Sequence, residues 1–382
     1  MEFIDLKAQY QYVKDTMDKN IEKVLTSTKF IGGPEVSRFE EELGEYVGKK
    51  HCISCGNGTD ALQLAYMALG VTKGDAVFCP DMTFIASVEP ACLLGATPVF
   101  VDIDIMSYNI DPIELEKRIQ EVKNEGKLKP KAVVAVDFLG NPARIDEIQQ
   151  ICKKYGMYLI EDAAQSMGAF YKGKKCGSFG DIACTSFFPS KPLGCYGDGG
   201  AVFTDDDEFA EVMRSIKVHG KGSSKYDNVR IGMNSRLDTL QAAVLLTKLT
   251  FLDEEIEKRQ KTAEMYRKQL KDIVRVPKVE CSDTASYAQY CILLNSTKER
   301  DYVIKRMKEA DIPTLIYYPN PLHSLVAFEY VNQFNLADFQ YTVEYAKCNL
   351  GLPFSPYLPE GDQLKVIDVV KESIKDFRDG LK

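Results

Sequence analysis

Apolar residues first recur along this chain at spacings of three and four. Tyr10, Val13, Met17, Ile21 and Val24 share one face of a predicted helix over 7–26. Gly32-Gly33-Pro34 breaks the pattern, and Val36, Phe39, Leu43 and Val47 mark a second helix. The rhythm then changes to short apolar runs at 51–55, 76–79, 98–102, 131–137, 157–161, 182–187 and 200–203. Helical patterns at 59–69, 83–94, 111–122 and 144–155 separate the first five runs, with Pro90 predicted to kink the helix over 83–94. Strands alternating with helices predict an α/β fold with a mostly parallel, seven-stranded sheet covered on both faces. A long helix is expected over 238–272. Strand 286–294, helix 298–310, strand 313–318 and a last helix near 360–379 then predict a small α+β unit. The expected division is 1–250 for the large domain and 251–382 for the connecting helix and small domain.

Composition narrows the classes. With 382 residues, 45% apolar and 27% charged, the chain can bury a large core. A net charge of −8 and no basic cluster argue against a nucleic-acid partner. No apolar run reaches membrane-spanning length, and Met1-Glu2-Phe3-Ile4-Asp5 does not read as an export signal. The eleven cysteines read as reduced thiols of a cytoplasmic protein. Cys52-x-x-Cys55 has no second cysteine or histidine pair, so it reads as two buried strand residues and no metal site is expected.

Four stretches carry candidate chemistry. Lys191 sits between Pro189 and Pro192, ahead of Gly194, Gly197, Gly199 and Gly200. A residue before proline avoids the helical region, so Lys191 belongs on an extended or turning backbone, where burial makes its amine carbonyl-reactive. Cys55-Gly56-Asn57-Gly58-Thr59-Asp60-Ala61 joins a strand to a helix. Free N–H groups at such a helix start hold a phosphate, though the G-x-G-x-x-A spacing also fits a dinucleotide, with Asp75 or Asp81 as its acidic partner. Glu161 and Asp162 end an apolar strand, where open α/β sheets bind ligands. Asn234-Ser235-Arg236 precedes the long helix, and alone reads as a helix entry capped by Ser235 or Asp238.

A phosphate-binding helix start, a strand-end aspartate and a turn-borne lysine are together the parts that pyridoxal phosphate needs. In this order they resemble the fold-type I pyridoxal-phosphate enzymes, and specifically the DegT/DnrJ/EryC1/StrS sugar aminotransferases. The resemblance runs from Phe3-Ile4-Asp5-Leu6 to Tyr318-Pro319 and is densest at four motifs. These are Asn57-Gly58-Thr59-Asp60-Ala61-Leu62, Glu161-Asp162-Ala163-Ala164-Gln165, Ser186-Phe187-Phe188-Pro189-Ser190-Lys191, and Asn234-Ser235-Arg236 followed by Gln241-Ala242-Ala243.

The resemblance implies a role for each matching residue. Lys191 matches the lysine that binds the cofactor covalently and shuttles a proton. Asp162 matches the partner of the pyridine nitrogen. Gln165 matches the side chain near the phenolic oxygen, and Phe84 the aromatic stacked on the ring. Gly58, Thr59 and Ser186 match phosphate contacts, and Asn234 a phosphate contact reaching across a homodimer with shared active sites. Arg236, Tyr317, Tyr318 and His323 are the candidate substrate contacts, Arg236 for a sugar carboxylate or a diphosphate. Relatives with histidine in place of the lysine catalyse dehydration, so Lys191 favours amino transfer. The implied reaction moves an amino group from L-glutamate to a keto carbon of a nucleotide-diphosphate sugar. The stretch from Phe188 to Gly200 is most similar to enzymes acting at C3 of UDP-2-acetamido-2-deoxy-3-keto-hexuronic acids. A C4-keto or dTDP-3-keto-6-deoxy sugar, a nicotinamide-dependent oxidoreductase and a non-catalytic cofactor-binding regulator are the alternatives.

Overall fold

A computed structural model describes residues 1–224, 226–279, 283–331 and 336–380. Its first half runs α1 (Leu6–Ser27), α2 (Pro34–Val47), β1 (His51–Cys55), α3 (Gly58–Ala68), β2 (Asp75–Pro80), α4 (Glu89–Leu93), β3 (Thr97–Val101), α5 (Pro112–Glu125), β4 (Lys129–Val136), α6 (Ile145–Tyr155) and β5 (Tyr158–Asp162). A small hairpin, β6 (Phe170–Tyr171) and β7 (Lys174–Lys175), precedes β8 (Ile182–Ser186) and β9 (Gly200–Thr204). Then come α7 (Asp207–Ile216), α8 (Thr239–Leu249), α9 (Leu252–Leu270), β10 (Tyr290–Leu293), α10 (Thr297–Glu309), α11 (Gln340–Cys348), β11 (Asn349–Leu352) and α12 (Glu360–Gly380).

The expected seven-stranded sheet forms, in the order β1-β9-β8-β5-β4-β2-β3. Only the pairings made by β9 are antiparallel. Alternation along the strands feeds two cores. Val133 and Ala135 of β4 join the cluster under α5 and α6, while Val134 and Val136 join the cluster that includes Leu62, Ala65 and Tyr66 of α3. A third cluster buries Val13, Met17, Phe39 and Leu43 against Phe187, Phe203 and Leu245. Among the described residues no helix is long and apolar enough to cross a membrane.

Three local expectations are corrected. The helix expected over 83–94 is a short 3₁₀ turn, Ile85–Ser87, followed by α4. Pro90 lies in the first turn of α4, where a missing N–H costs nothing, so it starts a helix and does not kink one. The long helix over 238–272 divides at Thr250 and Phe251 into α8, buried along most of its length, and α9, which exposes a charged face. The strand expected over 313–318 reduces to a single bridge from Leu315 to Gly351, and β11 pairs with β10. Pro313 and Pro319 bracket that segment and lack the N–H groups a ladder needs.

Because β1, β2, β4, β5 and β8 run the same way, their carboxyl ends line one edge of the sheet. The candidate chemistry gathers there, where an α/β sheet binds ligands.

Candidate active site

Asp162 ends β5 and is buried, 5% exposed. Ser87 Oγ donates to one carboxylate oxygen at 2.7 Å, and the Ala164 N–H to the other at 3.2 Å. Burial pushes the Asp162 carboxyl up, and the Ser87 hydroxyl, the Ala164 N–H and the charge of Lys191 pull it back.

Lys191 lies on the turning backbone expected from its prolines. Its N–H donates to the Phe188 carbonyl at 2.8 Å, and the wider loop is closed by Cys195 N–H to the Phe187 carbonyl at 2.8 Å. Gly194 makes this fold-back possible, since a Cβ there would lie 2.4 Å from the Pro189 carbonyl oxygen. Desolvation lowers the proton affinity of the Lys191 amine, opposed by the charge of Asp162. Each group is therefore near enough to feel the charge of the other.

Asn57 caps α3. Its Oδ1 accepts the Asp60 N–H at 2.8 Å and its carbonyl the Ala61 N–H at 3.1 Å. The N–H groups of Gly58 and Thr59, in the first turn, donate to no such partner among the described residues. Ser186, at the end of β8, presses on this turn, where a Cβ on Gly58 would fall 2.6 Å from the Ser186 Cβ.

Gln165 is buried, and its Oε1 accepts the Leu139 N–H at 2.7 Å, which leaves its amide hydrogens free to donate elsewhere. Its side chain also interacts with the Tyr318 hydroxyl. The Tyr318 ring meets Phe84 and Phe138, each with centroids 6.0 Å away, and Tyr317 packs on Phe3 at 6.2 Å. Phe84 is 53% exposed, so a flat surface is open to a ligand.

Three predicted residues stand outside this cluster. Asn234 and Arg236 are exposed and flank Ser235, which is buried. Ser235 Oγ donates to Asp60 Oδ2 at 2.6 Å and accepts the Gly56 N–H at 2.8 Å. The segment is thus tied to the α3 loop while both neighbours point outward. His323 is buried, 6% exposed, and paired with Asp81, so its contacts do not support the expected meeting with substrate.

The sequence reading missed Ser87 and Thr83, and offered Asp81 only as an acidic partner for a dinucleotide. Thr83 Oγ1 lies 2.9 Å from Ser87 Oγ. Since the single Ser87 hydroxyl proton goes to the carboxylate, Thr83 is the donor of that pair. No local spacing signals these partners, because 75 residues separate Ser87 from Asp162.

The dinucleotide alternative fails on topology. A dinucleotide fold needs β1 inside a parallel βαβ unit, but here β1 is an edge strand beside antiparallel β9. Asp75 accepts the Thr72 N–H, and Asp81 is sequestered by His323. The CxxC pair is buried in β1 as expected, and burial raises both thiols. Asp137, Glu161 and Cys176 approach one another in the interior, but both Glu161 oxygens take backbone N–H groups, from Gly177 and Phe179 at 2.8 Å each. Ala143 N–H and Ser166 Oγ occupy Asp137.

An amine of lowered proton affinity, a buried carboxylate held by donors and an open helix start fit the carbonyl, ring nitrogen and phosphate of pyridoxal phosphate. The fold and site are those of a pyridoxal-phosphate-dependent transferase. The family model of the DegT/DnrJ/EryC1/StrS aminotransferase family matches residues 11–371, and the chain belongs to that family. It is 49% identical over 324 residues to UDP-2-acetamido-2-deoxy-3-oxo-D-glucuronate aminotransferase of Pseudomonas aeruginosa, covering 85% of this chain and 87% of that one. A crystal structure of a DegT DnrJ EryC1 StrS aminotransferase from Brucella abortus superposes with a TM-score of 0.94 at 46% identity, over 97% of this chain and 99% of that one. NtdA from Bacillus subtilis, solved with its bound cofactor PMP, gives a TM-score of 0.85 at 28% identity, over 98% and 83%.

Proposed function

We propose that this enzyme transfers an amino group from glutamate to the C3 keto carbon of a nucleotide-linked sugar, in the first instance a UDP-2-acetamido-2-deoxy-3-keto-hexuronic acid. The observation that carries the reading is a turn-borne Lys191 within reach of the charge of the buried, donor-held Asp162, in a chain 49% identical to an aminotransferase named for such a sugar. Pyridoxal phosphate, when bound, supplies the electron sink and carries the amino group between donor and acceptor.

The chain's own residues do the rest. Lys191 holds the cofactor and, once released, moves a proton, and its lowered proton affinity favours the neutral amine this requires. Asp162 keeps a proton on the ring nitrogen, with Ser87 and Ala164 holding the carboxylate in place. The N–H groups at the start of α3, with Thr59 and Ser186, bind the phosphate. Gln165, whose amide hydrogens stay available, would donate to the phenolic oxygen, and the exposed Phe84 would offer its face to the ring. Arg236 binds an anionic part of the sugar nucleotide, for which a guanidinium offers two parallel hydrogen bonds.

The active sites are shared in a two-fold dimer, the partner subunit's Asn234 reaching the phosphate. Supporting this, Phe30, Ile31, Val229 and Ile231 are exposed apolar residues beside the Asn234 segment. Ile31 bridges to Asp238, and the Phe30 carbonyl accepts the Thr239 N–H at 2.9 Å.

The purified protein loaded with pyridoxal phosphate should absorb in the visible and be bleached by glutamate. Failure to bleach with the cofactor bound removes glutamate as donor. A panel of nucleotide amino sugars, each offered to the loaded enzyme, identifies the product as the one that drives the reverse half-reaction. Response to C4-amino sugars alone would overturn the C3 assignment.

A further inference from the structure

Asp81 and His323 are buried titratable groups with no part in the chemistry above. Asp81 follows directly on β2, is 0% exposed, and donates its N–H to the Val101 carbonyl at 2.9 Å, so it belongs to the rigid sheet edge. His323 lies 242 residues further along, in the segment that precedes α11. Three hydrogen bonds join the two places. Leu322 N–H donates to the Asp81 carbonyl at 2.9 Å, and His323 N–H to Asp81 Oδ1 at 2.8 Å. His323 Nδ1 and Asp81 Oδ2 are 2.5 Å apart. The imidazole is also stacked on Phe339, with centroids 4.5 Å apart and planes at 14°.

A second contact links the same two segments. Phe84 is three residues after Asp81, Tyr318 is five before His323, and their rings meet at 6.0 Å. Segments 81–84 and 318–323 are therefore tied at both ends. Tyr318 continues the wall to Phe138, interacts with the Gln165 side chain, and stands close enough to Asp162 to feel its charge. If the Asp81 end were released, Tyr317 and Tyr318 would still be held by Asn349 and by the bridge from Leu315 to Gly351. Asn349 Oδ1 accepts the Tyr317 N–H at 2.8 Å, and its amide donates to the Tyr318 carbonyl at 3.4 Å. The hydrogen-bonded tie to the β2 edge, however, would be gone.

We propose that Asp81 and His323 are positioning residues, whose hydrogen bonds hold the Tyr318 hydroxyl and the Phe84 ring against the cofactor pocket without touching the reacting atoms. The geometry of this wall is what aligns donor and acceptor, and small misplacements of such groups are costly in rate. The proposal rests on the aminotransferase reading for its kinetic arm only.

The test uses the holoenzyme and three variants. His323→Leu keeps bulk but removes the donor, His323→Asn keeps an N–H donor near the position of Nδ1, and Asp81→Asn keeps an acceptor for the His323 N–H. In His323→Leu, amide hydrogen exchange across residues 317–323 should quicken by about tenfold or more. The dissociation constant for pyridoxal phosphate, from absorbance titration, should stay within about threefold, while bleaching by glutamate slows by about tenfold or more. His323→Asn should return both exchange and bleaching to within about threefold of wild type. Wild-type exchange and bleaching in His323→Leu would overturn the proposal, as would equal impairment in the Asn and Leu variants. If His323→Leu does not fold, Asp81→Asn must show the same two changes at smaller size, and wild-type behaviour there would sink it. A wild-type enzyme that glutamate does not bleach would undo the function proposed above, while the exchange measurements would still decide the clamp.

Discussion

Gly58→Ala tests whether the start of α3 is the phosphate cradle. No positive φ requires glycine at this position, so the substitution probes space alone. The added Cβ would lie 2.6 Å from Ser186 Cβ and 3.2 Å from Ser186 Cα. Carbon atoms rest about 3.5–4.0 Å apart, so the helix start and the end of β8 must separate by about 1 Å. Two effects compete in stability. Alanine in a helix gains about 0.8–1 kcal/mol over glycine, whereas overpacking costs about 1–3 kcal/mol. Overpacking should win, because the obstruction is a strand end and not the tip of a flexible side chain. The larger effect is on the cofactor. Each hydrogen bond to a charged group contributes about 1.5–3 kcal/mol, so weakening the two N–H groups should raise the dissociation constant about 10- to 100-fold. Absorbance titration of the cofactor-free protein with pyridoxal phosphate measures this, and thermal unfolding of the same protein measures the packing cost. Gly361→Ala is the control, since a Cβ there meets nothing within 4 Å. A dissociation constant within twofold of wild type, alongside a lowered Tm, would refute the reasoning, because the clash would be felt without any loss of phosphate binding.

Asp162→Ala should keep the cofactor but lose far more than tenfold in kcat, because the ring nitrogen loses the group that keeps it protonated; activity within that range would remove the role. A dimer isolated by two tags, one chain carrying Lys191→Ala and the other Asn234→Ala, should recover about half of wild-type activity if each site draws on both chains. Activity no greater than the mean of the two parents would place Asn234 in the site of its own chain. Asp137→Asn should flatten the acid side of the stability curve. Burial pushes the Asp137 carboxyl from 3.8 up to about 6, so between these values the folded protein binds more protons than the unfolded chain. Stability then falls as pH rises through that window. Burial and the charge of Asp137 raise the neighbouring Glu161 carboxyl as well, so calorimetric Tm values of the variant should lose part of this slope, and a slope equal to wild type would refute the assignment.

The linear order of residues was enough to specify the alternation of strands and helices. A strand buried on both faces must be an unbroken apolar run, and a helix lying on it must repeat every three or four residues. Lys191, Asp162 and Gly58 were legible for a related reason, and Gln165 only through the resemblance of its motif. Each of the first three sits at a strand end or a tight turn, and local backbone chemistry marks those places. Tertiary structure alone decided what those residues meet. Nothing in the spacing of Asn57-Gly58-Thr59 says that β1 becomes an edge strand beside antiparallel β9, which is what removes the dinucleotide reading. Nor does any motif announce that Ser87 reaches Asp162 across 75 residues, or that Asp81 takes His323 across 242. The segment over 313–318 has the residues of a strand, but it meets β11 at a single bridge, because Pro313 and Pro319 lack the N–H groups a ladder needs. Periodicity is a property of a few consecutive residues, whereas a hydrogen bond between distant ones depends on the path of the whole chain.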